Sequence, residues 1–200
     1  MMRKPLLSAL LLAVAAPLAA QSTGTPVFHA PYRVFDRYEI GGNISDAGNV
    51  AFEGFYGFSQ AGASWDLALR AGVQDNGGCC KTAALFGVDA RFRVITQNAD
   101  FPLDGAIITG AGSRLVSGNS RLFIPIGISL GRRVNFTGST ASLVPYVEPV
   151  IVPNFGDGGS DTAVALGLGG DLRFNRRFEI RVNIGIGDIE NFSIGFSIAR

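Results

Sequence analysis

Phe178, Ile180, Val182, Ile184 and Ile186 alternate with Glu179, Arg181, Asn183 and Gly185. Successive side chains of a β-strand point to opposite faces, so this spacing of two specifies a strand with one bulky apolar face. The pattern recurs. Phe192, Ile194, Phe196 and Ile198 alternate with Ser193, Gly195 and Ser197. Trp65, Leu67, Leu69, Ala71 and Val73 oppose Asp66, Ala68, Arg70 and Gly72. Phe86, Val88, Ala90, Phe92 and Val94 oppose Gly87, Asp89, Arg91 and Arg93. Leu122 to Leu130 and Val164 to Phe174 follow the same rule, and weaker versions cover 35–44, 49–59, 104–115 and 141–153. Turn signals separate these runs: Asp46-Ala47-Gly48-Asn49, Asn76-Gly77-Gly78, Ser117-Gly118-Asn119, Asp157-Gly158-Gly159 and Asn175-Arg176. The expectation is an all-β chain, an antiparallel meander of about eight to ten strands. An open sheet of that length exposes two edges, and closure into a barrel removes them.

The alternation alone leaves two inverted designs. A transmembrane β-barrel turns its apolar face to lipid. A secreted, soluble, lipocalin-like barrel turns it inward, around an apolar ligand. The second face favours the membrane design. It is made of Gly, Ala and Ser with charges of both signs, whereas a water-facing surface carries more Lys, Glu and Thr. Lys81 is the only lysine after residue 20. Charged residues make up 16 % of the chain, against about 25 % in an ordinary soluble domain. Aromatics also gather at strand ends, with Phe174 and Phe178 around one turn and Phe52 and Phe58 bracketing one strand, as in an interfacial girdle.

Residues 1–20 read as a secretory leader: basic Arg3 and Lys4, an apolar run from Leu6 to Leu18, then Ala19 and Ala20, with cleavage expected near Ala20. The run is too short for a spanning helix. Residues 21–34 are expected to form a flexible or plug-like N-terminal segment, and 35–200 the barrel domain. Without Arg3 and Lys4 the chain carries 15 basic residues against 16 acidic ones, which gives a net of −1 and no basic patch for nucleic acid.

The leader, the strands of about ten residues and the final amphipathic strand resemble the small outer-membrane β-barrel proteins of Gram-negative-type bacteria. The resemblance covers most of 35–200. It implies a single-chain antiparallel barrel in the outer-membrane bilayer, inserted by the barrel assembly machinery, with a structural, adhesive or weakly pore-forming role. It leaves the oligomeric state open. The chain departs from the family in ending Phe196-Ser197-Ile198-Ala199-Arg200, four residues past its last aromatic. It also carries Pro145, Pro149 and Pro153 inside one strand, which predicts a bulge or an imperfect seal there.

Catalysis is not expected. Gly127-Ile128-Ser129-Leu130-Gly131 matches a hydrolase elbow, but it sits in an alternating strand and no histidine follows it. The single histidine, His29, precedes the first strand. Neither Gly110-Ala111-Gly112 nor Gly167-Leu168-Gly169-Gly170 opens a helix, as a nucleotide loop must. Cys79 and Cys80 are adjacent, so they can bond to each other only with strain, and they lack metal-ligating neighbours. No cofactor is expected. The informative polar set is Asp66, Arg70, Asp89, Arg91, Arg93, Asp171, Arg173, Glu179 and Arg181, with Glu53 on the same face. These are the candidate lumen charges. They form either a selective constriction or an ion-paired filling, and the width of an eight- to ten-strand barrel favours the filling.

Overall fold

A computed structural model describes residues 22–33, 38–46, 48–75, 77, 82–175 and 177–199. Residues 1–20, expected to be a leader cleaved near Ala20, and Cys79 and Cys80 lie outside the described residues. The strands are β1 (Tyr38–Asp46), β2 (Val50–Phe58), β3 (Trp65–Asp75), β4 (Thr82–Ile95) and β5 (Asp104–Val116). β6 runs in three pieces, Asn119–Phe123, Ile126–Gly131 and Val134–Asn135. β7 (Ser142–Gly156), β8 (Gly159–Arg173), β9 (Phe178–Gly187) and β10 (Asn191–Ala199) follow. Each strand pairs antiparallel with the next, and β10 pairs with β1, from Glu39 opposite Ala199 to Ser45 opposite Ser193. The described residues therefore form a closed ten-strand barrel with no free sheet edge. Connections after the odd strands lie at one end, the far end. Those after the even strands lie at the other, the terminal end, with the start of β1 and the end of β10.

The bulky face is outside. Ile40, Phe52, Leu69, Phe86, Ile128, Val164, Ile184 and Phe196 are all exposed, while their neighbours along the strand are buried or half-buried. On β9, Val182, Ile184 and Ile186 are 46 %, 52 % and 51 % exposed, and Glu179, Arg181 and Asn183 are buried. The lipocalin-like alternative required these aliphatic side chains to line the interior, and it is excluded.

The proline strand is not bulged. β7 pairs with β8 in one register from Ser142 to Gly156, and its three contacts with β6 share one register too. Pro145, Pro149 and Pro153 instead thin the seam with β6. Ile124 N–H donates to Pro153 O at 2.9 Å and Arg132 N–H to Pro145 O at 3.3 Å. Neither proline can return the bond, because it has no N–H. Pro149 occupies the same kind of position opposite Ile128, one pair beyond Gly127–Val150. Spaced four apart, all three missing donors fall on one side of the strand, and β6 breaks into pieces along that side.

Candidate functional site: a charged lumen filled by the N-terminal segment

Residues 22–33 of the segment expected to be flexible or plug-like lie inside the barrel. Ser22, Thr23, Thr25, Val27, Phe28 and Ala30 are all buried. Arg33 sits near the terminal end beside Gly57, His29 lies at mid-height, and Ser22 and Thr23 lie against Gly87. The inner wall is shaped for this segment by glycine. A Cβ at Gly167 would overlap the Phe28 ring, one at Gly57 the Arg33 guanidinium, and one at Gly112 the Ser22 carbonyl. Phe28 is fully buried in an apolar cluster with Val144, Tyr146, Val150 and Ala165 of the wall and Ile189 of the β9–β10 connection.

The other half of the lumen is ionic. Arg91 holds Asp66 in a two-point pair, Nε to Oδ2 at 2.8 Å and Nη2 to Oδ1 at 3.0 Å. Arg70 pairs with Asp89 at 2.9 Å and lies 3.6 Å from Glu53. Arg181 reaches Glu39 at 2.9 Å, Glu179 at 2.5 Å and Asp171 at 4.0 Å, and its guanidinium lies 5.0 Å from the centre of the Phe55 ring. Carboxylates outnumber guanidiniums on this buried stretch of wall. Arg70, Arg91 and Arg181 face Glu39, Glu53, Asp66, Asp89, Glu148, Asp171 and Glu179.

The segment answers that excess. Arg33 bridges Glu39 at 3.1 Å and Asp66 at 3.4 Å. The Ser22 hydroxyl donates to Asp89 at 2.5 Å, the Thr25 hydroxyl to Glu53 at 2.6 Å, and the His29 backbone N–H to Glu148 at 2.6 Å. The His29 ring lies 3.5 Å from Asp89 and 3.3 Å from Arg70. Return bonds run from the wall to the segment's carbonyls: Arg91 to Ala30 at 2.5 Å, Ser129 to His29 at 2.6 Å, Tyr146 to Phe28 at 3.0 Å, and Ser193 to Pro26 at 2.9 Å. Tyr146 also bonds Asn183. Buried carboxylates and carbonyls need such partners, because leaving them unpaired costs far more than each bond contributes. At the terminal mouth Arg133 lies 5.1 Å from the centre of the Tyr32 ring. Burial pushes the Tyr32 phenol up to about 12, so it stays neutral.

Of the nine candidate lumen charges, the structure brings seven into this network. Arg93 is exposed at the terminal mouth, and Arg173 is half-buried there, with Nε donating to Asn175 O at 3.0 Å. Both stand at the mouth-side ends of their strands. Arg33, Glu39 and Glu148 belong to the network although alternation did not single them out. Ser129, the centre of the hydrolase-like motif, donates to the backbone of His29 and not to its ring. Among the described residues no group of three or more His, Cys, Asp and Glu could hold a metal ion. What empty space remains by His29, Arg70, Asp89 and Arg181 amounts to about 20 Å³, room for about one water.

Solved structures that share this architecture include two outer-membrane proteins. One is a bacterial polysaccharide outer membrane secretin, at 10 % identity and TM-score 0.51, covering 84 % of this chain and 66 % of that one. The other is the beta domain of the Bordetella autotransporter Brka, at 15 % identity and TM-score 0.54, covering 76 % of this chain and 73 % of that one. The fold is that of an outer-membrane β-barrel. This chain spans just under two thirds of the length of the secretin it matches. No protein-family model and no curated protein matches the sequence. In an outer-membrane barrel the exposed Ile, Val and Phe wall is the lipid face, and the ionic network is the lumen.

Proposed function

We propose that this chain is an outer-membrane barrel closed by its own N-terminal segment, with a structural or adhesive role and no catalysis. The observation that carries the reading is the filled lumen: residues 22–33 lie inside it, bond to Glu39, Glu53, Asp66, Asp89 and Glu148 of its wall, and leave about 20 Å³ of space beside His29, Arg70, Asp89 and Arg181. A water-filled channel needs a continuous polar path, as in the wide porins, and at the height of His29 and Asp89 a gap for about one water interrupts it. Export through a leader cleaved near Ala20 and insertion by the barrel assembly machinery complete the proposal. The apolar wall supports membrane residence, since an exposed apolar surface of this extent has no stable place in water.

The test combines two readouts on the mature protein. It should be extracted only with detergent and run faster on a gel unboiled than boiled. In a planar bilayer it should then show little or no current. Recovery from a soluble periplasmic fraction would sink the membrane part. A steady open conductance would sink the closed-lumen part.

A further inference from the structure

The two ends of the barrel carry opposite charge. Among the described residues the far end holds Asp46, Asp75, Asp157, Asp161, Asp188 and Glu190 against two arginines. The terminal end holds Arg93, Arg132, Arg133, Arg173 and Arg177 against Asp100 and Asp104. The exposed tyrosines and tryptophan of the outer wall also lie toward the terminal end: Tyr38, Tyr56 and Trp65, with Tyr38 stacked on Tyr56 at 6.1 Å. Such rings mark headgroup depth.

One place on this end joins a cation to the lipid face. The β8–β9 connection is held in shape by Asn175 Oδ1, which accepts from the N–H groups of Arg177 at 2.8 Å and Phe178 at 3.0 Å. Ala199 N–H fixes it from β10, donating to Arg177 O at 2.8 Å. Arg177 is exposed, and it lines a groove of about 480 Å³ with Asn175, Thr140, Phe178 and Ile198. A phospholipid has the matching layout: an anionic phosphate at one end and an apolar chain running inward from it.

We propose that this groove seats an anionic phospholipid, with the Arg177 guanidinium and the Asn175 amide NH₂ on the phosphate and an acyl chain along Phe178 and Ile198. The seat rests on the outer-membrane reading above. The test is lipid retention: the mature protein is reconstituted into nanodiscs of equal parts phosphatidylcholine and phosphatidylglycerol, released gently, and weighed by native mass spectrometry. The expected result is preferential retention of phosphatidylglycerol, weakened by added salt. Arg177→Gln should lower that preference about fivefold, the factor for one basic residue at an anionic surface. Arg177→Lys should keep most of it, and Arg132→Gln, on the same end but off the groove, should change it little. Equal retention of the two lipids, or an equal loss for Arg132→Gln and Arg177→Gln, would overturn the seat. Salt dependence in the unaltered protein decides the matter if Arg177→Gln does not fold. Failure to enter nanodiscs at all would refute the membrane reading itself, a distinct outcome.

Discussion

Phe28→Ala should unseat the N-terminal segment and open the barrel. Phe28 is completely buried, and its ring fills the space left by the absent side chain of Gly167 and reaches toward Gly185. Truncating a buried phenylalanine to alanine costs about 3–5 kcal/mol. The hydrogen bonds from Ser22, Thr25 and His29 remain, so the segment loses part of its hold and not all of it. Docking here is intramolecular, so the loss falls on the equilibrium between seated and displaced segment. It corresponds to roughly a hundredfold to a few thousandfold rise in the displaced fraction. In a planar bilayer the variant should show intermittent openings where the parent is silent. The current should favour cations, because the unplugged mid-section keeps seven carboxylates against three guanidiniums. Trypsin should also cut at Arg33 in the variant and spare it in the parent. If Phe28→Ala is as silent and as protease-resistant as the parent, the ring is not what holds the plug, and the reasoning fails.

Four further expectations follow from the same geometry. Gly167→Val places a side chain where the Phe28 ring lies, so it should raise conductance as Phe28→Ala does. Asp66→Asn strips the carboxylate from buried Arg91 and Arg33, and should lower unfolding stability by about 3–5 kcal/mol in a denaturant titration in detergent. Ile184→Arg puts a charge on the exposed wall and should cost about 2–4 kcal/mol in a bilayer, where a neutral result would mean that face does not meet lipid. Pro149→Ala returns an N–H to the β6–β7 seam, and amide exchange in β6 should slow relative to that in β4.

Strands were legible in proportion to the contrast between their faces. β9 and β10 face lipid on one side and the ionic lumen on the other, so Phe178 to Ile186 and Phe192 to Ile198 alternate cleanly. β7 was harder to read. Its outward positions include Pro145, Pro149 and Pro153, and its inward positions Val144, Tyr146, Val150 and Val152 are apolar because they hold Phe28. Both faces then look apolar, and Glu148 between them gave no sign of its role. Seven of the mid-section charges, Asp66, Arg70, Asp89, Arg91, Asp171, Glu179 and Arg181, were legible because strand parity puts them on one face. Arg93 and Arg173 share that parity but stand at the mouth, a matter of height that parity does not encode. The plug was the least legible part. It is held through its backbone carbonyls and N–H groups, through hydroxyls of Ser22 and Thr25, and through glycines on distant strands, and none of these leaves a periodic signal.

The most direct test of the account is a nuclear Overhauser spectrum of the protein in detergent micelles. It reports, in one experiment, which side chains touch detergent and which touch each other. Detergent contacts are expected at the methyls of Val182, Ile184 and Ile186, and the Phe28 ring should contact Gly167 and Val144 and no detergent. Detergent contacts to Phe28, or their absence at Ile184, would contradict it.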